Sequence, residues 1–494
     1  MTRALPAIVV AVGIFAAILA LSAVAVRTAA LGDDAVMLWA SAIAAGDGQI
    51  SIGRIVAAYP TLPFLATTLL ELMAPVGAPT PALLSASMLG LLASLWFLAL
   101  RDSGIGVAAA MTATVLIALH PAVLRAAVSG PSEIFLVAFL ALLAKGLYDL
   151  RETTAAPDVM TVALALLGLA FSHPMGAAIA LAAVPFLALA VRPSVVANSG
   201  INVVVALVFP ALFCVGSFVY VSWVFPGSGW SFLTNPSASR ATWAADFPRL
   251  WSWPRSLALD AGIMVALALA VGAPSAVVAV VKVHRRRPLV APAAVLATAA
   301  VVAATMAVVT GVFGNPASVA IAAPVLAAIA MIRIPSAHER MAPVLALLVL
   351  GWIGGAGAIL VLDPAFAAQA LAMTGVAPAD RERVDALNLG HATAGHEGVL
   401  VDTFNSPAVV LGRGAASGLL TPQGEAFTLT MLFARIDAPF VAVPDPHSPA
   451  GVQDRLNKAF PKLHRFGEPG YRLVYQNSTW RMFARINTPA IAND

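Results

Sequence analysis

The chain has 494 residues, of which 60% are hydrophobic and only 11% charged, and its mean hydropathy is +0.90. Soluble domains carry about 25% charged residues, so this composition excludes an ordinary soluble globule and points to a polytopic membrane protein. A formal net charge of +4 is small for the length and argues against nucleic-acid binding, and the single cysteine, Cys214, excludes a disulfide framework or a cysteine zinc site.

The first apolar run, 4–26, follows a single basic residue, Arg3. It exceeds the about 7–15 residues of a signal-peptide core and reads as an uncleaved first span. Just past it stand two acids, Asp33 and Asp34, opening a short helix at 35–45 that Gly46 stops. Carboxylates at a membrane boundary are costly to hold near hydrocarbon and ask for a reason. A Tyr59-Pro60-Thr61-Leu62-Pro63 turn and a second helix carrying Glu71 complete a connection, 28–79, that is too long for a simple loop.

Further runs able to cross about 30 Å of hydrocarbon fall at 80–100, 104–121, 133–150, 159–176, 177–191, 201–224, 257–281, 289–312, 317–333 and 341–362, making about 11 spans. With the N-terminus inside, the short inner connections hold Arg101, Arg151, Arg192, the basic run 282–287, and Arg333 with Arg340, as the positive-inside rule asks. The long segments 28–79 and 225–256, and everything after Asp363, then lie outside; tryptophans at 230, 251 and 253 suit an interfacial belt. Lysine occurs only at 145, 282, 458 and 462, which fits a GC-rich bacterial genome and hence an inner membrane. From 364 onward composition turns ordinary: 399–401, 408–411, 440–443, 471–475 and 480–484 read as strands, 449–460 as a helix, and Asn477-Ser478 as a hairpin turn. The predicted fold class is therefore mainly α: a polytopic transmembrane helical domain at 1–363, followed by a small extracytoplasmic α/β domain at 364–494.

The ordered set Asp33-Asp34-Ala35, Trp39-Ala40, Ala45-Gly46-Asp47-Gly48, Tyr59-Pro60-Thr61-Leu62, Ser129-Gly130-Pro131-Ser132-Glu133 and His173-Pro174 resembles the GT-C superfamily of polytopic glycosyltransferases. The resemblance covers roughly the first 190 residues. It departs from the family pattern at Ala58 and Thr61, where a basic residue and a second Pro often stand, and at His173, where many members carry Lys. It implies a polyprenyl-phosphate-linked sugar donor and a glycan, lipid or protein acceptor. It also implies an inverting transfer with Asp33 as base, Tyr59 in the substrate site, and no cofactor or essential metal.

One carboxylate suffices to take the acceptor hydroxyl's proton, because phosphate already leaves well, and the second can orient the sugar. The plain alternative is helix capping by Asp33 or Asp34. Arginine suits the leaving phosphate because its planar fork matches the oxygens and stays charged; the candidates are Arg54, Arg125, Arg240, Arg249 and Arg255, with Arg240 and Arg249 best placed in the groove-facing loop. His173 can bind phosphate or relay a proton, and His120 likewise, or each can simply cap the helix after its Pro. Glu133 and Glu71, at helix positions near the boundary, and Asp402, at a strand end, are further substrate-binding candidates. His391, His396 and Glu397 fit no zinc spacing and read as polar linker. A lipid or polysaccharide transporter predicts mid-span charges and inverted halves, neither of which is visible. A non-catalytic scaffold keeping the same fold stays open.

Overall fold

The structure, a computed structural model, describes residues 4–50, 58–75, 77–153, 155–224, 290–310, 315–333 and 341–486. The segment 225–256, the expected span 257–281, the basic run 282–287, and Arg54, Arg240, Arg249, Arg255 and Arg340 lie outside these residues.

The described chain is mainly helical. In order it forms α1 (Ala4–Arg27), α2 (Asp33–Gly46), α3 (Thr61–Met73), α4 (Thr80–Asp102), α5 (Val107–Ala118), α6 (Pro121–Ser129), α7 (Pro131–Glu152), α8 (Ala156–Ser172), α9 (Pro174–Ala183), α10 (Pro193–Val224), α11 (Val290–Thr310), α12 (Ala322–Arg333) and α13 (Met341–Leu362). Among the described residues five helices (α1, α4, α10, α11 and α13) are long and apolar enough to cross a membrane, and α5 with α6, bent by 51°, would make a sixth. About 11 were expected. Hydropathy reads through breaks that the backbone respects: Pro121 and Pro174 each start a new helix after a histidine, and a 3-10 turn, Pro316–Ile321, opens the run before α12. Two of the expected spans, 159–176 and 177–191, correspond to the 17-residue α8 and the 174–190 stretch, both at the lower end of the about 17–25 residues a bilayer crossing takes.

The helices pack through small residues. Ala86, Ala93, Ala110, Ala113, Ala126 and Ala144 sit fully buried in one large core with Leu89, Leu136 and Leu140, so backbones approach closely without large side chains between them.

The tail continues as α14 (Pro364–Met373), α15 (Arg381–Thr393), β1 (Val399–Leu400), α16 (Ala408–Arg413), β2 (Leu419–Leu420), α17 (Glu425–Phe433), β3 (Phe440–Pro444), α18 (Pro449–Gln453), α19 (Arg455–Ala459), α20 (Leu463–Phe466), β4 (Tyr471–Gln476) and β5 (Trp480–Arg485). Its sheet runs β2-β1-β3-β5-β4, parallel across β2-β1-β3 and antiparallel across β3-β5-β4. Residues 408–411, expected as a strand, form part of α16: a short, mostly buried apolar run carries no clear period, and Gly414 in the left-handed region caps it as a helix. The expected 449–460 helix is split at Asp454, whose side chain caps α19. Asn477 forms the expected hairpin turn, its Oδ1 accepting from the amides of Thr479 (3.0 Å) and Trp480 (2.7 Å).

Strand alternation assigns the sheet's two faces. Val441, Val443 and Phe483 pack with Phe427, Leu456 and Leu463, whereas Phe440, Ala442, Trp480 and Met482 share a core with Val36, Leu38, Trp39 and Ile43 of α2. The tail therefore has no separate apolar face toward the helical body; α2 completes it.

Candidate active site

Site geometry begins where α1 ends. Gly32 N donates to Val128 O at 3.1 Å, and a Cβ on Gly32 would stand 2.6 Å from Ser129 Cα, so only glycine fits this crossing. Gly130, at φ 134°, meets Ala35 from the other side, where a Cβ would be 3.1 Å away. Two motifs a hundred residues apart in the sequence are thereby pressed together, and Asp33 and Asp34 are held over the α6–α7 junction.

The cap of α2 is Gly32, which has no side chain to bond the first-turn amides, so neither acid stands at the cap position considered for it. Both lie in the first turn, where negative charge complements the helix dipole. Asp33 is more than half exposed and pairs with Arg383 Nη2 of α15 at 2.5 Å. Arg383 Nη1 donates to Ala29 O at 3.1 Å and also to Leu31 O. At the far end of α2, Asp47 Oδ2 accepts from the amides of Ala416 (2.6 Å) and Ser417 (3.0 Å). The tail is stitched to both ends of α2. Arg383→Ala should accelerate amide exchange over 29–36 while shifting the unfolding temperature little, because an exposed carboxylate partner contributes little. Unchanged exchange there would remove Arg383 from the joint.

Asp34 differs from its neighbour. Its side chain keeps some exposure, yet among the described residues none forms a hydrogen bond or ion pair with it. Protein packed around the carboxyl, then the charges of Glu133 and Asp33, push its pKa up to about 7, against the opposing charge of Arg125.

Beside it lies a buried polar network. Arg125 Nη1 donates to both oxygens of Glu133 at 2.7 and 2.8 Å, and its Nε to Asp363 Oδ2 at 2.7 Å. Ser318 Oγ donates to Glu133 Oε1 at 2.8 Å and Asn315 Nδ2 to Asp363 Oδ2 at 2.7 Å. Arg125, Glu133, Ser318 and Asp363 are all at most 4% exposed. Arg125 and Glu133, expected at phosphate and substrate, are thus committed to each other. His173 caps α9 through Nδ1, which accepts from the Met175 amide at 3.0 Å, and its Nε2 lies 4.0 Å from Glu133. His120 caps α6 in the same way, accepting from Ala122 at 3.2 Å.

Tyr59 is buried and donates to Ala170 O at 3.0 Å, fastening the 58–60 turn to α8. Glu71 accepts from Thr80 Oγ1 at 2.5 Å, joining α3 to the start of α4. Asp402 is fully buried and clamps its own loop, accepting from the amides of Phe404 (3.1 Å) and Arg455 (2.9 Å). None of the three presents its polar atoms as a free ligand group. His391 lies in α15, and His396 packs edge-on to Phe440 with ring centroids 4.8 Å apart, so neither is mere linker.

Burial and the charge of Asp402 push the Asp454 carboxyl up to about 7, and among the described residues its Oδ2 has no hydrogen-bond partner. A raised carboxyl favours the protonated folded state. Its cost therefore grows as pH rises from the ordinary 3.8 toward 7 and is full above that. Asp454→Asn keeps the cap and should stabilise the protein above pH 7 by roughly 2–4 kcal/mol, with no gain at pH 4, as read by unfolding at the two pH values.

A cleft runs between α2 and the tail, lined on one side by Met37, Ala40, Ser41 and Ala44 and on the other by the loops after β1 and β2, including Thr403, Phe404, Thr421 and Gln423. Residues 33, 37, 40 and 44 share one face of α2, so the cleft continues the surface that Asp33 opens. Asp363, Ser318, Asn315 and Arg383 were not singled out in the sequence; Asp363 closes an otherwise apolar 22-residue helix, and that isolated acid was the one available signal. Among the described residues no three His, Cys, Asp or Glu side chains gather as a metal-binding group. Comparison of the sequence with models of known protein families and with curated proteins gives no match.

Proposed function

We propose that this multi-pass membrane protein is a glycosyltransferase of GT-C type, with about 11 spans, an inner N-terminus and the tail domain outside a bacterial inner membrane. It moves a sugar from a polyprenyl-phosphate donor to a glycan, lipid or protein acceptor, with inversion. The observation that carries this reading is the Asp34 carboxyl, pushed up to about 7 one turn from a cleft that the tail domain closes. A base poised near neutral pH is what abstraction of a hydroxyl proton asks for. The acceptor oxygen attacks the anomeric carbon, its proton passes to Asp34, and the bond to the phosphate oxygen breaks.

This moves the base from Asp33, favoured by the resemblance, to Asp34. Asp33 is held in an ion pair with Arg383, which ties it to the joint between α2 and the tail. Arg125, held between two carboxylates, is a positioning residue in this reading. Arg240 and Arg249 are then the candidates for the leaving phosphate, and no metal is invoked. A non-catalytic scaffold is the second reading, favoured by the use of Asp33 and Arg125 to hold the fold together.

The discriminating experiment is mass spectrometry of envelope glycans and lipids from a deletion strain. The transferase reading expects one sugar missing, restored by the wild-type chain and not by Asp34→Asn. Full restoration by Asp34→Asn would favour the scaffold.

A further inference from the structure

We infer that the cleft between α2 and the tail binds an uncharged glycan. Assigning that glycan as the remote part of the acceptor rests on the transferase reading; binding itself does not. The cleft is a shallow one, open to solvent at its mouth. From residue 37 to residue 44 its α2 wall runs ~10 Å, so it extends beyond a single reacting group.

Lining chemistry selects the ligand class. Among the described residues no lining side chain is charged, so an anionic or cationic ligand would be desolvated against them without a counter-charge. Four lining side chains are neutral hydrogen-bonding groups: Ser41, Thr403, Thr421 and Gln423. Thr421 is 2% exposed, and among the described residues its Oγ1 has no hydrogen-bond partner. A buried hydroxyl left unmade is a standing cost, which a hydroxylated ligand would relieve and a hydrocarbon chain would not. Phe404, Met37 and Val410 add apolar wall for the C–H face of a sugar ring. Arg455 covers the Phe404 ring at 5.1 Å from its centroid, and the Asp402 clamp fixes the loop that carries Thr403 and Phe404. The polar groups therefore stand on a pre-ordered loop, which limits the entropy lost on binding.

The test uses the full-length protein in nanodiscs against a panel of neutral gluco-, manno-, galacto- and arabino-oligosaccharides, the corresponding uronic-acid and phosphate-bearing oligosaccharides, and short neutral peptides. Neutral oligosaccharides should bind and the charged ones should not. Thr421→Val should weaken binding about tenfold while leaving the unfolding temperature unchanged or higher, since it removes an unmade hydrogen bond at constant shape. Ala40→Trp, which fills the floor, should abolish binding. A purely structural Thr421 would leave affinity untouched. Binding of peptides or charged glycans in preference to neutral ones, no glycan binding at all, or affinity indifferent to both substitutions overturns the inference. Asp34→Asn should retain glycan binding. If wild-type protein transfers no sugar yet binds neutral glycans in a Thr421-dependent manner, the transferase reading falls and the cleft assignment stands.

Discussion

Asp34→Asn is expected to lower sugar transfer by about 10²–10⁴-fold, the usual contribution of a positioned general base. The same substitution should raise the unfolding temperature at pH 8. Both effects have one origin: the carboxyl is pushed from an ordinary 3.8 up to about 7 by burial, then by Glu133 and Asp33. Only the ionised form accepts a proton, so transfer by the wild type should climb with pH and level off above about 7. The ionised form is also the disfavoured one in the folded protein, so stability declines between about 4 and 7 as pH rises. An amide at 34 removes both dependences. Asp33→Asn, which breaks only the pair with Arg383, should keep most of the transfer. A reversed ranking of the two variants, measured by restoration of the missing sugar, would return the base to Asp33.

The second large effect is on stability. Arg125→Met should destabilise the protein by about 3–5 kcal/mol, because it strands Glu133 and Asp363 as buried, unpaired carboxylates. The attraction between these charges only offsets their desolvation, so the network adds little net stability while it is complete. Combining Arg125→Met with Glu133→Gln and Asp363→Asn should therefore recover most of the loss. Unfolding of the three single variants and the triple in one detergent decides it; a triple variant as weak as the worst single would mean that the network contributes through its geometry and not its charge balance.

Local sequence signals placed much of this site. The acid pair, the Ser129–Glu133 junction and the Tyr59 turn were visible as motifs, and the structure brings the first two into contact through Gly32 and Gly130. Partners were not visible. Arg125 and Asp363 are 238 positions apart, and Arg383 and Asp33 are 350 apart, so no spacing rule could pair them. The same limit affected the histidines: a His before Pro fits both a ligand and a cap, and only the Nδ1 contacts to Ala122 and Met175 decide for the cap. Hydropathy located the apolar runs but not the Pro-initiated breaks that divide them. In the tail, β3, β4 and β5 were legible from alternation and the Asn477 turn. α16 was not, because a short, mostly buried apolar run such as 408–411 carries neither period.

The most direct test of the central claim is an infrared titration of the full-length protein labelled with 13C-aspartate, read as the difference between wild type and Asp34→Asn. The account predicts a protonated carboxyl band, absent from the variant, that disappears with a midpoint near pH 7. A difference band that titrates near pH 4 would contradict it, leaving residue 34 an ordinary helix-start acid.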